Sequence, residues 1–381
     1  MEIYVVKQGD TIDSISGEFN VPATETAFIN QISYPYPLVV GQALLIPVQD
    51  GLQQYKRDVN VNGYAYPYIN SKVLQTTLPY LTDLSVFSYG FNEDGDLIPP
   101  SLDDTGMINA ALEFGTSPML TLTPMDEYGR FNNNLISALV SSDSAQENLI
   151  NQALGMLDAK GFRGLDIDFE YIKAEDRDLF TSFVARMTRE LNIYGYWVSV
   201  ALAPKTSSGQ KGLLYEGKDY GGLGAAANSC LLMTYEWGYK YSEPMAVAPI
   251  NKVRQVVEYA VTQIPRNKID LGIPNYGYDW PLPYVQGETA ATTIGNIEAI
   301  EIAAANGAQI FFDETAQSPY FNYMADGIRH EVWFEDVRSM NAKFSLFEEF
   351  GLRGMGYWQI MRLFLANWVL LESRFNIIKD Q

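Results

Sequence analysis

The chain has 381 residues, 47% of them hydrophobic, and its 26 Lys and Arg against 46 Asp and Glu give a net charge of −20. That length sustains a large buried core, and that charge, with no basic stripe to offset it, repels phosphate backbones and anionic lipid faces, so nucleic acid is excluded as a partner. A single cysteine (Cys230) and a single histidine (His330) exclude an intrachain disulfide, zinc sites built from several His or Cys, and any Ser–His–Asp machinery that does not use His330. Catalysis has to rest on carboxylates, Tyr, Lys or the substrate itself. Cys230, inside the apolar run Cys230-Leu231-Leu232-Met233, reads as a buried small hydrophobe, and His330, between Arg329 and Glu331, as an ordinary surface or cleft residue. No stretch reaches the ~18 apolar residues of a membrane span, the run at 363–371 reads as a core helix, and Met1–Lys7 lacks the basic and apolar regions of a cleavable signal peptide.

The first fifty residues read as a unit of their own. Ile3-Tyr4-Val5-Val6 is a short strand, Gly9-Asp10-Thr11 a turn and helix cap, and 11–19 an amphipathic helix with Ile12, Ile15 and Phe19 inward. A second helix is expected near 24–30, and Val40-Gly41-Gln42 turns into a strand over 43–47. These residues, with Asn30 and Leu45-Ile46-Pro47, resemble a LysM module. The resemblance implies a βααβ domain over 1–48 that binds the N-acetyl groups of peptidoglycan or chitin, with Gly9, Asp10, Thr11 and Asn30 as its sugar-binding residues.

After an expected linker at 49–57, strand-like runs alternate with helical stretches near 61–66, 84–89, 119–123, 164–169, 197–203, 229–235, 268–274 and 353–358. Eight runs at βα spacing predict a (β/α)8 barrel over 58–381, of α/β class. The long gap before the last run predicts a small α+β insertion at about 282–340, between barrel strands seven and eight.

The richest stretch is Gly164-Leu165-Asp166-Ile167-Asp168-Phe169-Glu170. On a strand, alternate residues share a face, so Asp166, Asp168 and Glu170 project together at ~7 Å spacing while Leu165, Ile167 and Phe169 face the helices. Three carboxylates on an interior face cannot all ionise cheaply, and a proton retained on Glu170 makes a general acid. A solvated strand face and a carboxylate metal cage are the competing readings. Burial of a barrel strand on both sides argues against the first, and the lack of matching further ligands against the second.

This stretch resembles the DxDxE end of the signature of family 18 glycoside hydrolases. Met233-Thr234-Tyr235-Glu236 is similar to that family's Met-x-Tyr-Asp strand, and Gly356-Tyr357-Trp358 to its last strand with a sugar-stacking Trp. The variants Tyr235-Glu236-Trp237-Gly238-Tyr239 and Ile273-Pro274-Asn275-Tyr276-Gly277-Tyr278 look like those of the bacterial spore cortical-fragment-lytic N-acetylglucosaminidases, which also place LysM modules before the barrel.

The resemblance implies a retaining, substrate-assisted reaction that needs no cofactor and no metal. In that scheme the substrate's own 2-acetamido oxygen replaces a second carboxylate as nucleophile. Glu170 protonates the leaving oxygen, Asp168 holds the acetamido N–H, Asp166 shares the proton behind it, and Tyr235 bonds the acetamido oxygen. Trp358 floors the subsite, with Met233, Glu236, Trp237, Asn275 and Tyr276 as further substrate contacts. Non-proline cis peptides are implied at Glu170–Tyr171 and Trp358–Gln359. Three departures stand out: Arg163 where the longer signature is acidic, Glu236 where most members have Asp, and one LysM module where the spore-lytic branch often has two. The expected partner is an N-acetylglucosamine polymer, the expected place the spore coat, cortex or cell wall. A chitinase and a non-catalytic wall- or coat-binding protein are the alternatives.

Overall fold

The computed structural model describes residues 1–48 and 56–379, so most of the expected linker at 49–57 lies outside the described residues. Residues 1–48 form the expected βααβ unit, with strands Glu2–Val5 and Ala43–Ile46 paired antiparallel and helices Ile12–Glu18 and Ala23–Ile29 between them. Thr11 starts the first helix through a capping box: its hydroxyl accepts from the Ser14 N–H at 3.1 Å, and the Ser14 hydroxyl accepts from the Thr11 N–H at 3.0 Å. Alternation in the second strand sends its side chains to two different cores. Leu44 and Ile46 pack with Val6, Ile12, Ile15 and Ala27 inside the module, whereas Ala43 and Leu45 join the large core of the barrel.

The module is therefore seated on the rest of the chain. The Ile310 N–H donates to the Val40 carbonyl at 3.0 Å, Arg338 Nη2 to the Gly41 carbonyl at 3.2 Å, and the Leu365 N–H to Gln31 Oε1 at 2.7 Å. Gly41 has a φ of +88°, and a Cβ there would lie 1.8 Å from the Ile310 carbonyl oxygen, so only glycine fits this junction.

Eight parallel strands close the barrel: Arg57–Ala65, Asp83–Phe91, Ser117–Leu122, Gly164–Ile167, Trp197–Leu202, Ser229–Leu232, Ile269–Pro274 and Gly354–Trp358, the last pairing with the first. Their outward residues, such as Leu165, Ile167, Val198, Val200, Ile273 and Met355, are fully buried against the surrounding helices, which is why the strands read as almost unbroken apolar runs. The insertion begins earlier than expected, at Gly277. It is a five-stranded antiparallel sheet (Gly277–Leu282, Thr292–Ile294, Phe311–Asp313, Ser318–Ala325, Ile328–Trp333) with helix Asn296–Ala305. His330 lies here, partly buried, its Nδ1 2.8 Å from Asp279 Oδ1 across a strand pair. Cys230 is buried and its thiol is pushed up to about 12 by burial. The 363–371 run contributes to helix Leu365–Arg374 at the barrel wall, and among the described residues no helix is long and apolar enough to cross a membrane.

Candidate active site

The fourth barrel strand ends at Ile167, but the Asp168 N–H still donates to the Leu122 carbonyl at 2.9 Å, so the chain stays extended and the alternation persists. Leu165, Ile167 and Phe169 face outward and are fully buried; Phe169 stacks on Phe183 of helix Arg177–Asn192 at 6.1 Å between centroids. Asp166, Asp168 and Glu170 consequently all point inward. Asp168 and Glu170 reach the wall of a cavity of about 590 Å³ at the carboxyl end of the barrel, where this fold gathers chemistry from several strand ends.

Asp166 lies beneath the cavity, its Oδ2 accepting from the Tyr64 hydroxyl at 2.8 Å and its Oδ1 from Ser199 Oγ at 2.5 Å. Burial still drives its carboxyl above the usual range, against the pull of those two donors. Asp168 is driven well above the usual range, first by burial and then by the charges of Glu170 and Asp166, and among the described residues its Oδ1 has no hydrogen-bond partner. Glu170 is raised by burial as well. All three acids thus have a raised affinity for protons, and Asp168 and Glu170 present theirs at the cavity wall.

Tyr235, Met233, Glu236, Trp237 and Trp358 line the same cavity. Burial, followed by the charges of Asp168 and Glu170, keeps the Tyr235 hydroxyl protonated and able to donate. Glu236 is held in a left-handed conformation (φ +67°) and accepts from the Tyr276 hydroxyl and, at 3.0 Å, from the Tyr278 hydroxyl. Those donors temper the rise that burial imposes on it. Trp358 stands in an aromatic nest, 4.9 Å from Phe87 and 5.7 Å from Tyr64 between ring centroids.

Several expected site residues sit elsewhere. Asn275 is buried away from the cavity and donates to the Gln359 and Arg362 carbonyls at 3.0 and 2.9 Å, bracing the turn after Trp358. Tyr276 is likewise behind the wall, acting on Glu236 through its hydroxyl. In the LysM unit, Gly9 and Thr11 are exposed on one loop, while the Asp10 carboxylate accepts from the Lys7 N–H at 2.7 Å and the Tyr4 hydroxyl at 2.9 Å. Asn30 is buried, and both its amide hydrogens are spent on the Thr26 and Leu45 carbonyls at 2.8 Å, so it holds strand to helix and presents no donor to a sugar. Arg163 is exposed at the opposite end of the strand from the cavity. The Trp358–Gln359 peptide is cis as expected, whereas the other non-proline cis bond among the described residues falls at Phe87–Ser88, where strand pairing shifts register. Glu170–Tyr171 keeps the trans form that is the default for a non-proline bond. Tyr64 and Ser199, the two donors to Asp166, are not legible as site residues in the sequence.

Two family models match the chain: the LysM domain over residues 4–47 and Glycosyl hydrolases family 18 over residues 129–362. A cortical fragment-lytic enzyme of Bacillus subtilis is 40% identical, across all of this chain and 99% of that protein. The crystal structure of the spore cortex-lytic enzyme SleL of Bacillus megaterium superposes with a TM-score of 0.92 at 33% identity, covering 99% of this chain and 98% of that one. A chitinase from Chromobacterium violaceum superposes with a TM-score of 0.77 at 26% identity over 83% of this chain and 98% of that one. A closed eight-stranded barrel with inward carboxylates at its carboxyl end, the matched models and full-length relatives agree: the chain is a glycoside hydrolase that belongs to family 18 and carries an N-terminal LysM domain.

Proposed function

We propose that the protein is a retaining, substrate-assisted β-N-acetylglucosaminidase that hydrolyses spore cortex peptidoglycan on the reducing side of N-acetylglucosamine. The observation that carries this reading is the unsatisfied Asp168 Oδ1 beside Glu170, in a cavity lined by the Tyr235 hydroxyl and the Trp358 ring. An acetamido group entering there finds an acceptor for its N–H, a donor for its oxygen and an aromatic surface for its ring. Glu170 gives its proton to the glycosidic oxygen as that bond breaks. The acetamido oxygen closes on the anomeric carbon from below, and the oxazolinium that forms is balanced by the Asp168 charge. Water then opens the ring on the same face the leaving group occupied, returning a proton to Glu170 and retaining β configuration. The LysM domain supplies a second hold on the same polymer, and the site of action is the spore or cell wall. The relatives named for cortical lysis favour cortex over chitin.

The mechanism also dictates which bond is cut. The nucleophilic acetamido group has to swing beneath its own anomeric carbon, which the ring-tied nitrogen of muramic lactam cannot do, so N-acetylglucosamine occupies the cleavage subsite. Mass spectrometry of products from spore cortex fragments and chitin oligomers, run side by side, tests this. New reducing ends of N-acetylglucosamine from cortex are expected. Reducing muramic lactam refutes the mechanism, reducing muramic acid refutes the specificity for N-acetylglucosamine, and turnover confined to chitin oligomers makes the protein a chitinase.

A further inference from the structure

Behind the carboxylates lies a cation that this chemistry leaves without a task. Lys218 is completely buried, and its Nζ donates to the Phe169 carbonyl and, at 2.8 Å, to the Ala201 carbonyl. The first acceptor belongs to the peptide group whose nitrogen is that of Glu170. The second lies on the neighbouring barrel strand. One ammonium thus holds the amide plane that carries the acid and ties two strand ends together.

The segment presenting Lys218 is itself fixed. Its N–H donates to the Tyr215 carbonyl at 3.1 Å, and its carbonyl accepts from Lys205 Nζ at 2.9 Å. Next to it, Gly217 packs so closely on the turn after Glu170 that a Cβ there would lie 2.3 Å from the Ile172 carbonyl oxygen. The Phe180 ring centroid stands 5.5 Å from Nζ. A buried ammonium is costly unless opposite charge offsets it, yet both of these partners are neutral carbonyls. The titratable groups whose charges act on it are Asp166 on the fourth strand, Asp168 and Glu170 just beyond that strand's end, and the Cys230 thiol on the sixth.

We propose that Lys218 is a positioning residue of the active site, clamping the Glu170 peptide and supplying the buried positive charge that offsets the three carboxylates. Without a cation, the cluster would have to keep further protons, and Asp168 would be neutral when the oxazolinium needs its charge. This inference rests on the reading of Glu170 as the acid. Burial lowers the Lys218 ammonium to about 8 while the carboxylates pull it up, so it stays charged in neutral and mildly acidic solution. Its charge lowers Asp168 and Glu170 against the effect of burial. Removing it raises both, and both limbs of the pH–rate profile move to higher pH.

The experiment compares pH–rate profiles on cortex fragments for the wild type, Glu170→Gln, Lys218→Gln, which keeps a hydrogen-bond donor without the charge, and Lys218→Met, which loses both. Lys218→Gln is expected to move both limbs upward by about one pH unit or more. Its kcat should fall about tenfold or more with KM within twofold, and Lys218→Met should fall further. A folded Lys218→Gln enzyme with an unmoved profile overturns the proposal while a silent Glu170→Gln leaves the acid assignment standing. An active Glu170→Gln overturns both. Should neither lysine variant fold, nitrogen-15 resonances of the lysine ammonium groups in the wild type decide: Lys218 charged across the active pH range supports the assignment, and Lys218 neutral at the optimum overturns it.

Discussion

Glu170 is a carboxyl group that the fold holds at a loss. Its proton affinity is raised by burial, so the folded value exceeds the unfolded one, and its contribution to stability is fully present below the unfolded value of ~4.3 and lost as pH rises through the folded value. Glu170→Gln keeps the shape without the charge. Calorimetry at pH 7 should therefore find the variant unfolding about 1–3 °C higher than the wild type, a gain that shrinks toward pH 4 as the native carboxyl protonates. Turnover of the same variant should drop by about 10²–10⁴-fold while sugar binding, measured by calorimetric titration, persists. Alternation made Asp166, Asp168 and Glu170 legible, because period-two spacing on a buried strand dictates the side on which they point. Lys218 left no such mark: its partners are backbone carbonyls, which no side-chain pattern announces. Asn275 and Asn30 show the converse, since a motif fixes a residue's type and place but not where its amide turns.

At the level of elements, the barrel strands were readable because parallel strands buried on both faces are continuous apolar runs, whereas the insertion's start was not. Tyr278 and Trp280 extend that apolar character past the seventh strand, and only the antiparallel pairing of Gly277–Leu282 with Ile328–Trp333 separates insertion from barrel. Where the insertion returns to the barrel, Glu335 meets Lys343 of helix Val337–Phe350 at 2.7 Å, both side chains essentially fully buried. Breaking such a pair leaves a bare charge in the interior, so Lys343→Met should cost about 3–5 kcal/mol in denaturant unfolding. Replacing both partners with apolar residues of similar volume should recover most of that loss. At the other junction, Gly41→Ala would force a methyl group into the Ile310 carbonyl oxygen at a backbone angle that suits glycine. Limited proteolysis of this variant should release a barrel-sized fragment under conditions in which the wild type stays whole.

For the molecule as a whole, the run Ala43-Leu44-Leu45-Ile46 is apolar on both faces, and that is the pattern of a strand covered twice, once by its own module and once by the barrel. Removing residues 1–48 uncovers the apolar surface that Ala43 and Leu45 occupy. The shortened chain should unfold at a lower temperature than the whole protein and self-associate in analytical ultracentrifugation, even though the strands of the barrel are all present. Leu45→Asp should reproduce part of both effects.

The seat of the module has a mechanical meaning too. Two grips joined by a loose tether search for their second contact through a cloud of orientations, and each loses part of its strength to that search. Here the search is over before a glycan arrives, because strand Ala43–Ile46 and the Ile310–Val40 hydrogen bond lock the module's orientation to that of the cleft. A glycan that engages both module and cleft should therefore do so at one fixed reach and angle, as wood meets a saw through a mitre box. To cut beyond that reach the whole molecule must let go and take hold again, so the strength of the grip that steadies each stroke also limits how fast the next one can begin.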